Sequence, residues 1–299
     1  MEITSKQARW EIPGVTTFEA GAGGLPKLVI SATEGQAEIY LHGAHVTYFQ
    51  PSGGKPVLFL SQKSLFEADK PIRGGIPLIF PWFGPNSDDP SAPMHGFARV
   101  KNWDVVNVSK TSAGDVSATF ELTSKQPLSK VWPHSFQLQY TVRVGRELSL
   151  TLVVKNLSSQ VFTFEDAFHT YLAVGDVRQA RIEGLSGHQF IDKVDQFKLK
   201  TQAAGPIAIE GETDRVYLDT TDVVCVQDPV LNRELRIRKI DSQSTVLWNP
   251  WIAKAKAMAD FGDEEWPEMV CVETANVGKS KMSLAAGATH EMRAIISAH

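Results

Sequence analysis

A carboxylate and an imidazole stand in this chain where apolar side chains are the rule. Glu273 lies inside the strand-forming run from Met269 to Ala275, and His169 interrupts the apolar segment from Ala167 to Ala173, 104 residues earlier. A buried Glu is costly unless it is hydrogen-bonded or used. Partial desolvation would lift it from about 4.3 into the range of a useful general base. A His, with a reference value near 6.5, holds or releases a proton around neutrality. Together the two offer a base and an acid. The plain alternatives are a structural Glu paired with an Arg and a His satisfied in the core. Glu165 and Asp166, just ahead of His169, could orient its ring or bind substrate hydroxyls.

Two guanidiniums sit in apolar, glycine-containing surroundings: Arg73 in Ile72-Arg73-Gly74-Gly75-Ile76-Pro77 and Arg99 at the end of Met94-His95-Gly96-Phe97-Ala98-Arg99. Arg presents a planar fork to phosphate or carboxylate, and a neighbouring Gly lets a ligand approach the backbone. Either Arg alone could be a structural ion pair; two in separate aromatic segments point to an anionic ligand. Other motifs lead nowhere. Gly21-Ala22-Gly23-Gly24 lacks the Lys-Ser/Thr of a phosphate-binding loop. His42-Gly43-Ala44-His45 has no companion Cys or acidic cluster, so no metal is expected. No Gly-x-Ser-x-Gly elbow supports a Ser nucleophile. Cys225 and Cys271, each between two valines, read as small core residues in buried strands.

These side chains need a scaffold, and the dominant pattern is period-two alternation. From Ser135 to Val144, Phe136, Leu138, Tyr140, Val142 and Val144 alternate with Gln137, Gln139, Thr141 and Arg143, which predicts a half-buried antiparallel strand. Gly145-Arg146 suits a tight type II′ turn into Leu148, Leu150, Leu152 and Val154, completing a hairpin. The same alternation recurs at 37–41, 105–108, 116–123, 236–240, 245–248 and 291–296. No segment sustains a helical stripe beyond about two turns. The fold class is therefore all-β, an antiparallel sandwich or barrel. No linker-like shift divides the 299 residues, so one domain is expected across 1–299. Two stretches escape the alternation: 72–86, rich in Gly, Pro and aromatics, and the acidic, aromatic 260–268. Long irregular segments on a β scaffold are where binding groups tend to sit.

Composition narrows the partners. The net charge is −4 with both signs interspersed, which leaves no electrostatic footprint for nucleic acid or an anionic membrane. Any cation used for a ligand must be local. Met1-Glu2-Ile3-Thr4-Ser5-Lys6 lacks the apolar core of a signal peptide, and no run approaches the ~18 apolar residues of a membrane span. A soluble cytoplasmic monomer with a small-molecule ligand is expected.

Taken in order, several segments resemble the glucose-6-phosphate 1-epimerase (hexose-6-phosphate mutarotase) branch of the aldose 1-epimerase family. They are Ile72 to Pro77 with Phe80-Pro81-Trp82-Phe83-Gly84, His95 to Arg99, His169-Thr170-Tyr171, Thr213-Asp214-Arg215-Val216-Tyr217, Trp248-Asn249-Pro250 and Val270-Cys271-Val272-Glu273. The resemblance implies a large galactose-mutarotase-like β-sandwich with no organic cofactor. It implies interconversion of the α and β anomers of hexose 6-phosphates at C1, glucose 6-phosphate being preferred. Residue by residue, it makes His169 the catalytic acid and Glu273 the base. Arg73, Arg99, Asp214 and His95 become substrate contacts, the two arginines as phosphate ligands. Met94 stands where some relatives carry a Gln able to touch the sugar.

Three other activities fit the same residues. An epimerase of free aldoses differs only in whether the arginines meet a phosphate. A glycosidase would pair Glu273 with Glu165 or Asp166, their carboxyls about 5 to 9.5 Å apart. A non-catalytic protein binding sugar phosphates or other carbohydrates could use the same sandwich, since fold does not fix function.

Overall fold

The strand Phe136–Val144 buries every second side chain, and so does Leu148–Asn156. They pair from Phe136 opposite Asn156 to Val144 opposite Leu148. Their turn takes three residues, 145–147, rather than the two expected, and Gly145 is not left-handed as a type II′ turn requires. Packing explains the glycine instead: a Cβ there would sit 2.4 Å from Asp115 Oδ1.

In the computed structural model, which describes residues 5–124 and 128–299, this hairpin belongs to an eight-stranded antiparallel sheet. Met1 to Thr4, part of the N-terminus read as lacking a signal peptide, lie outside the described residues. The strand order is 181–183, 224–228, 233–240, 289–298, 148–156, 136–144, 116–124 and 104–110. A second eight-stranded sheet runs Lys198–Thr201, Gln189–Asp192, Thr213–Leu218, Ser244–Asn249, Met269–Asn276, Asp166–Phe168, Leu78–Ile79. Its eighth strand, Tyr171–Ala173, shares the edge of Met269–Asn276 with Asp166–Phe168.

Facing sides of the two sheets share one hydrophobic core, in which Phe168 lies 5.7 Å from Tyr140 and Phe80 lies 5.5 Å from Phe136, centroid to centroid. Each fully buried side chain of this size contributes about 1.5–3 kcal/mol, and dozens of them make the sandwich rigid enough to hold a site. A four-stranded meander from Thr16 to Pro51 and the pair Phe162–Phe164 with Met282–Leu284 complete the sheets. The longest helix among the described residues is Trp251–Ala257, and none is long and apolar enough to cross a membrane. The architecture is the antiparallel β-sandwich that the alternation predicts.

Some sequence expectations shift. Cys225 is only half-buried, because it falls on the outward side of the alternating strand Val224–Asp228; Cys271 is buried. Gly74 does not open Arg73 to a ligand. It has φ +111°, and a Cβ there would lie 2.6 Å from Leu60 Cα and from the Phe59 carbonyl oxygen, so close backbone packing demands it. The acidic loop 260–268 is mainly a clasp. Phe261 and Trp266 are buried, and the Glu265 carboxylate accepts from Ser61 Oγ at 2.6 Å and from the Gln62 and Gly262 amides at 2.9 Å.

Candidate active site

Register brings the two anomalous residues together. Phe168 lies opposite Thr274 and Tyr171 opposite Cys271, and counting inward places His169 directly opposite Glu273. Cross-strand neighbours project from the same face of a sheet. His169 Nε2 is accordingly 3.3 Å from Glu273 Oε1. The intervening residues, Phe168 among them, face the partner sheet. Strand Met269–Asn276 is buried along its whole length, covered by the core on one side and by the loops around the site on the other. That double cover is why it reads as an apolar run with one carboxylate in it.

A second row of side chains crosses the same face. Asp214 lies opposite Trp248, and Trp248 opposite Cys271. One step beyond the strand Gln189–Asp192, the Lys193 amide donates to the Asp214 carbonyl at 2.9 Å, which extends the row to Lys193. A cavity of about 600 Å³ opens over these rows, lined among others by Arg73, His95, His169, Lys193, Asp214 and Glu273. Of the six sequence-derived candidates, it gathers five.

The His169 ring is fixed on three sides. Tyr171 stacks on it at 4.8 Å with an interplanar angle of 12°, and His95 and Trp248 meet it edgewise at 5.6 and 6.1 Å. Glu273 is 1% exposed, and its Oε2 has no hydrogen-bond partner; His169 Nδ1 has none either. Buried polar atoms are usually paired, so these two stand out as unsatisfied atoms in residues that line the cavity. Burial pushes the Glu273 carboxyl well up, against the pull of Lys193, and with Asp214 adding to the rise. Burial, reinforced by Arg99 and Arg73, pushes the His169 imidazole well down. Both groups are driven towards their neutral forms.

His95 is set by a tight turn. Gly96 has φ +73°, and a Cβ there would lie 2.0 Å from the Phe80 carbonyl oxygen, so only glycine fits. The Gly84 amide donates to His95 Nδ1 at 3.1 Å. The neutral ring therefore carries its proton on Nε2, as a donor. Burial, with Arg99 and His169 adding to it, keeps this imidazole well below the usual range.

The arginines part company. Arg73 lines the cavity and is held there: Nε and Nη2 donate to Asp260 Oδ2 at 3.2 and 3.0 Å, and Nη1 donates to the Tyr171 hydroxyl at 3.0 Å. Arg99 is absent from the lining. It is 8% exposed, Nη2 donates to the Met94 carbonyl at 2.6 Å, and Nε has no partner. Burial and the charge of Arg73 bring it down to about 10.

Glu165 and Asp166 do not orient His169. Glu165 accepts from the Phe83 amide at 2.7 Å and the Gly278 amide at 2.6 Å, fastening the 80–86 segment to the sheet. Asp166 faces the core and accepts from Asn276 Nδ2 at 3.0 Å. Neither is free to partner Glu273 as a glycosidase carboxylate. His42 and His45 each give Nε2 to a backbone carbonyl, of Lys70 and Gly74, at 2.7 Å. Sequence reasoning missed Lys193, which pairs with Asp214 at 3.1 Å and lies 4.9 Å over the Phe83 ring. Nothing in the local sequence marks it, since Asp192-Lys193-Val194-Asp195 looks like ordinary surface charge.

The fold is shared with the galactose mutarotase-like proteins. A protein of that description from Clostridium acetobutylicum superposes with a TM-score of 0.74 over 95% of this chain and 98% of its own, at 16% identity. The chain itself belongs to the aldose 1-epimerase family, whose model matches residues 26–297, and it is an epimerase. Two relatives carrying the name "Putative glucose-6-phosphate 1-epimerase" are each 36% identical: one from Cenchrus ciliaris, over 86% of this chain and 80% of its own length, and one from Escherichia coli K12, over 86% and 85%. A crystal structure described as a "putative mutarotase" from Salmonella typhimurium superposes with a TM-score of 0.89 at 30% identity, covering 96% of this chain and 95% of that one.

Proposed function

We propose that this epimerase interconverts the α and β anomers of hexose 6-phosphates, glucose 6-phosphate above others, with Glu273 as base and His169 as acid. The observation that carries the proposal is the pair itself: His169 Nε2 stands 3.3 Å from Glu273 Oε1, each side chain is buried with its other polar atom unpartnered, and both line a cavity sized for a sugar. Opening the hemiacetal takes a proton from the C1 hydroxyl and gives one to the ring oxygen. Glu273 takes the first and His169, as imidazolium, gives the second. Rotation about the C1–C2 bond turns the aldehyde over, and closure runs both transfers backward. The pair thus begins with one proton between its two members. General acid and base groups typically contribute about 10²- to 10⁴-fold each, enough for a reaction that water already performs slowly.

The sugar's connectivity then locates the phosphate. C6 is attached beside the ring oxygen, so a 6-phosphate lies on the His169 side of the ring. Arg73 is there, bonded to the Tyr171 hydroxyl whose ring stacks on His169. Arg99 stands behind as an uncompensated buried charge, Asp214 holds a sugar hydroxyl, and His95 donates from Nε2. The names carried by the relatives agree with a phosphorylated substrate. Proton NMR exchange between the anomers of glucose 6-phosphate, with free glucose alongside, tests the proposal. Acceleration of the phosphate ester well beyond that of glucose is expected; equal acceleration of both would remove the phosphate assignment, and binding without acceleration would remove catalysis.

A further inference from the structure

The Glu273–His169 pair meets an electrostatic problem. Proton transfer needs the carboxylate and the imidazolium, yet burial favours the neutral arrangement. Charges around the pair shift this balance only if they lie closer to one member than to the other, because a cation equidistant from both stabilises the carboxylate and destabilises the imidazolium alike. Glu273 and His169 are faced by Cys271 from the central strand, Tyr171 and His95 around the imidazole, Asp214 and Lys193 across the second row, and Arg99 and Arg73 from the turn and loop segments.

Their influence is uneven. Lys193 acts more strongly on Glu273 than Arg99 does, whereas at His169 Arg99 and Arg73 both act more strongly than Lys193. Asp214 raises Glu273 and so works against the productive form. Of the cations on the cavity wall, Arg73 is committed to Asp260 and Lys254 to Glu212 at 2.8 Å. Lys193 alone is paired with a carboxylate that itself faces the candidate base.

We propose that Lys193 is a positioning residue for this reaction: its cross-strand ion pair fixes the Asp214 carboxylate and offsets its charge, which brings the Glu273 carboxylate with a protonated His169 closer in energy to the neutral pair. The geometry holds the ammonium in place from three directions. Its backbone N–H is bonded to Asp214, its Nζ is 3.1 Å from Asp214 Oδ1, and its charge lies over the face of Phe83. The proposal rests on Glu273 being the base, and not on the substrate carrying a phosphate.

The test is Lys193→Met, which keeps the apolar stem against Phe83 and deletes the charge. Carboxyl ¹³C NMR titration of Glu273, assigned by the signal lost in Glu273→Gln, needs no substrate. Its midpoint should rise by about one pH unit in Lys193→Met, return to the wild-type value in Lys193→Arg, and fall back when Asp214→Asn is added to Lys193→Met. The alkaline limb of kcat/KM, where the neutral pair loses the Glu273 proton, should move with it, giving about tenfold lower kcat/KM below that limb and parity with wild type above it. An unmoved midpoint overturns the proposal. So does a KM that rises for glucose 6-phosphate but not for glucose while the alkaline limb stays put, which would make Lys193 a phosphate anchor. A loss uniform with pH would mark it as merely structural. Wild-type protein that accelerates only free sugars would sink the phosphate assignment and leave the titration of Glu273 to decide the role of Lys193.

Discussion

Replacing Glu273 by glutamine separates what the carboxylate does from what it costs. The amide keeps the shape and can still face His169 Nε2, now 3.3 Å from Oε1, but it cannot take a proton. Loss of a general base should reduce turnover about 10²- to 10⁴-fold, or about 2.7 to 5.4 kcal/mol in the barrier. Stability should move in the opposite direction. The side chain is 1% exposed and Oε2 is unpartnered, so its ionised form is desolvated without full compensation. Its folded value lies well above the reference 4.5. The folded protein therefore keeps a proton that the unfolded chain releases, and this stabilisation is complete below about 4.5 and disappears as pH rises through the folded value. Glutamine has no such dependence, so the variant's margin over wild type should widen as pH climbs above about 4.5. Urea unfolding at pH 5 and pH 8 reads the margin, and anomer exchange by NMR reads the rate. A variant that turns over normally and is less stable at both pH values would make Glu273 a structural ion-pair partner. Adding His169→Asn to Glu273→Gln should cost little more than the worse single change, because residues that act as a unit are not additive.

Two further outcomes follow from other charged side chains. Glu165→Ala removes the acceptor of the Phe83 and Gly278 amides; at about 1.5–3 kcal/mol for each hydrogen bond to a charged group, denaturant titration should show a clear loss, and KM should rise more than kcat falls as the segment beside the cavity loosens. Lys239 is buried with its ammonium donating to Thr220 Oγ1, Ser244 O and Thr245 Oγ1, and burial brings it down to about 7 from 10.5. The folded chain thus gives up this proton before the unfolded chain does. Stability should rise with pH between about 7 and 10.5, and Lys239→Met should flatten that rise in urea midpoints taken at pH 7.5 and 9.5.

How far the molecule is legible in its sequence depends on what kind of information each residue needs. Alternation reports which side of a strand is buried, and it locates the hairpin at 136–156 without any knowledge of its neighbours. It does not report how many residues a turn takes, because Gly145 answers to Asp115 from a neighbouring turn. Glu273 and His169 are visible because their type contradicts their surroundings. Lys193 is invisible because its type agrees with them: a lysine among aspartates looks solvated until the register sets it against Asp214. Glu165 and Arg99 mislead for a related reason. Both are ionisable residues near aromatic motifs, and only the path of the backbone decides that one accepts from two amides while the other lies behind the cavity wall.

Register also explains how His169 and Glu273 are held at a fixed separation. His169 and Glu273 occupy opposed positions on neighbouring strands, so their separation follows from sheet geometry, in which directly opposed Cβ atoms lie about 4.5–5.5 Å apart. A slip of one residue would turn either side chain to the other face. What prevents the slip is the core side of the same strands, where Phe168 packs on Tyr140 and Asp166 is bonded to Asn276 across the strand pair. The residues that give the sandwich its stability therefore also fix the distance between the proposed acid and base. A cavity cut at Phe168, on the face away from any substrate, should loosen catalysis through the register that places His169.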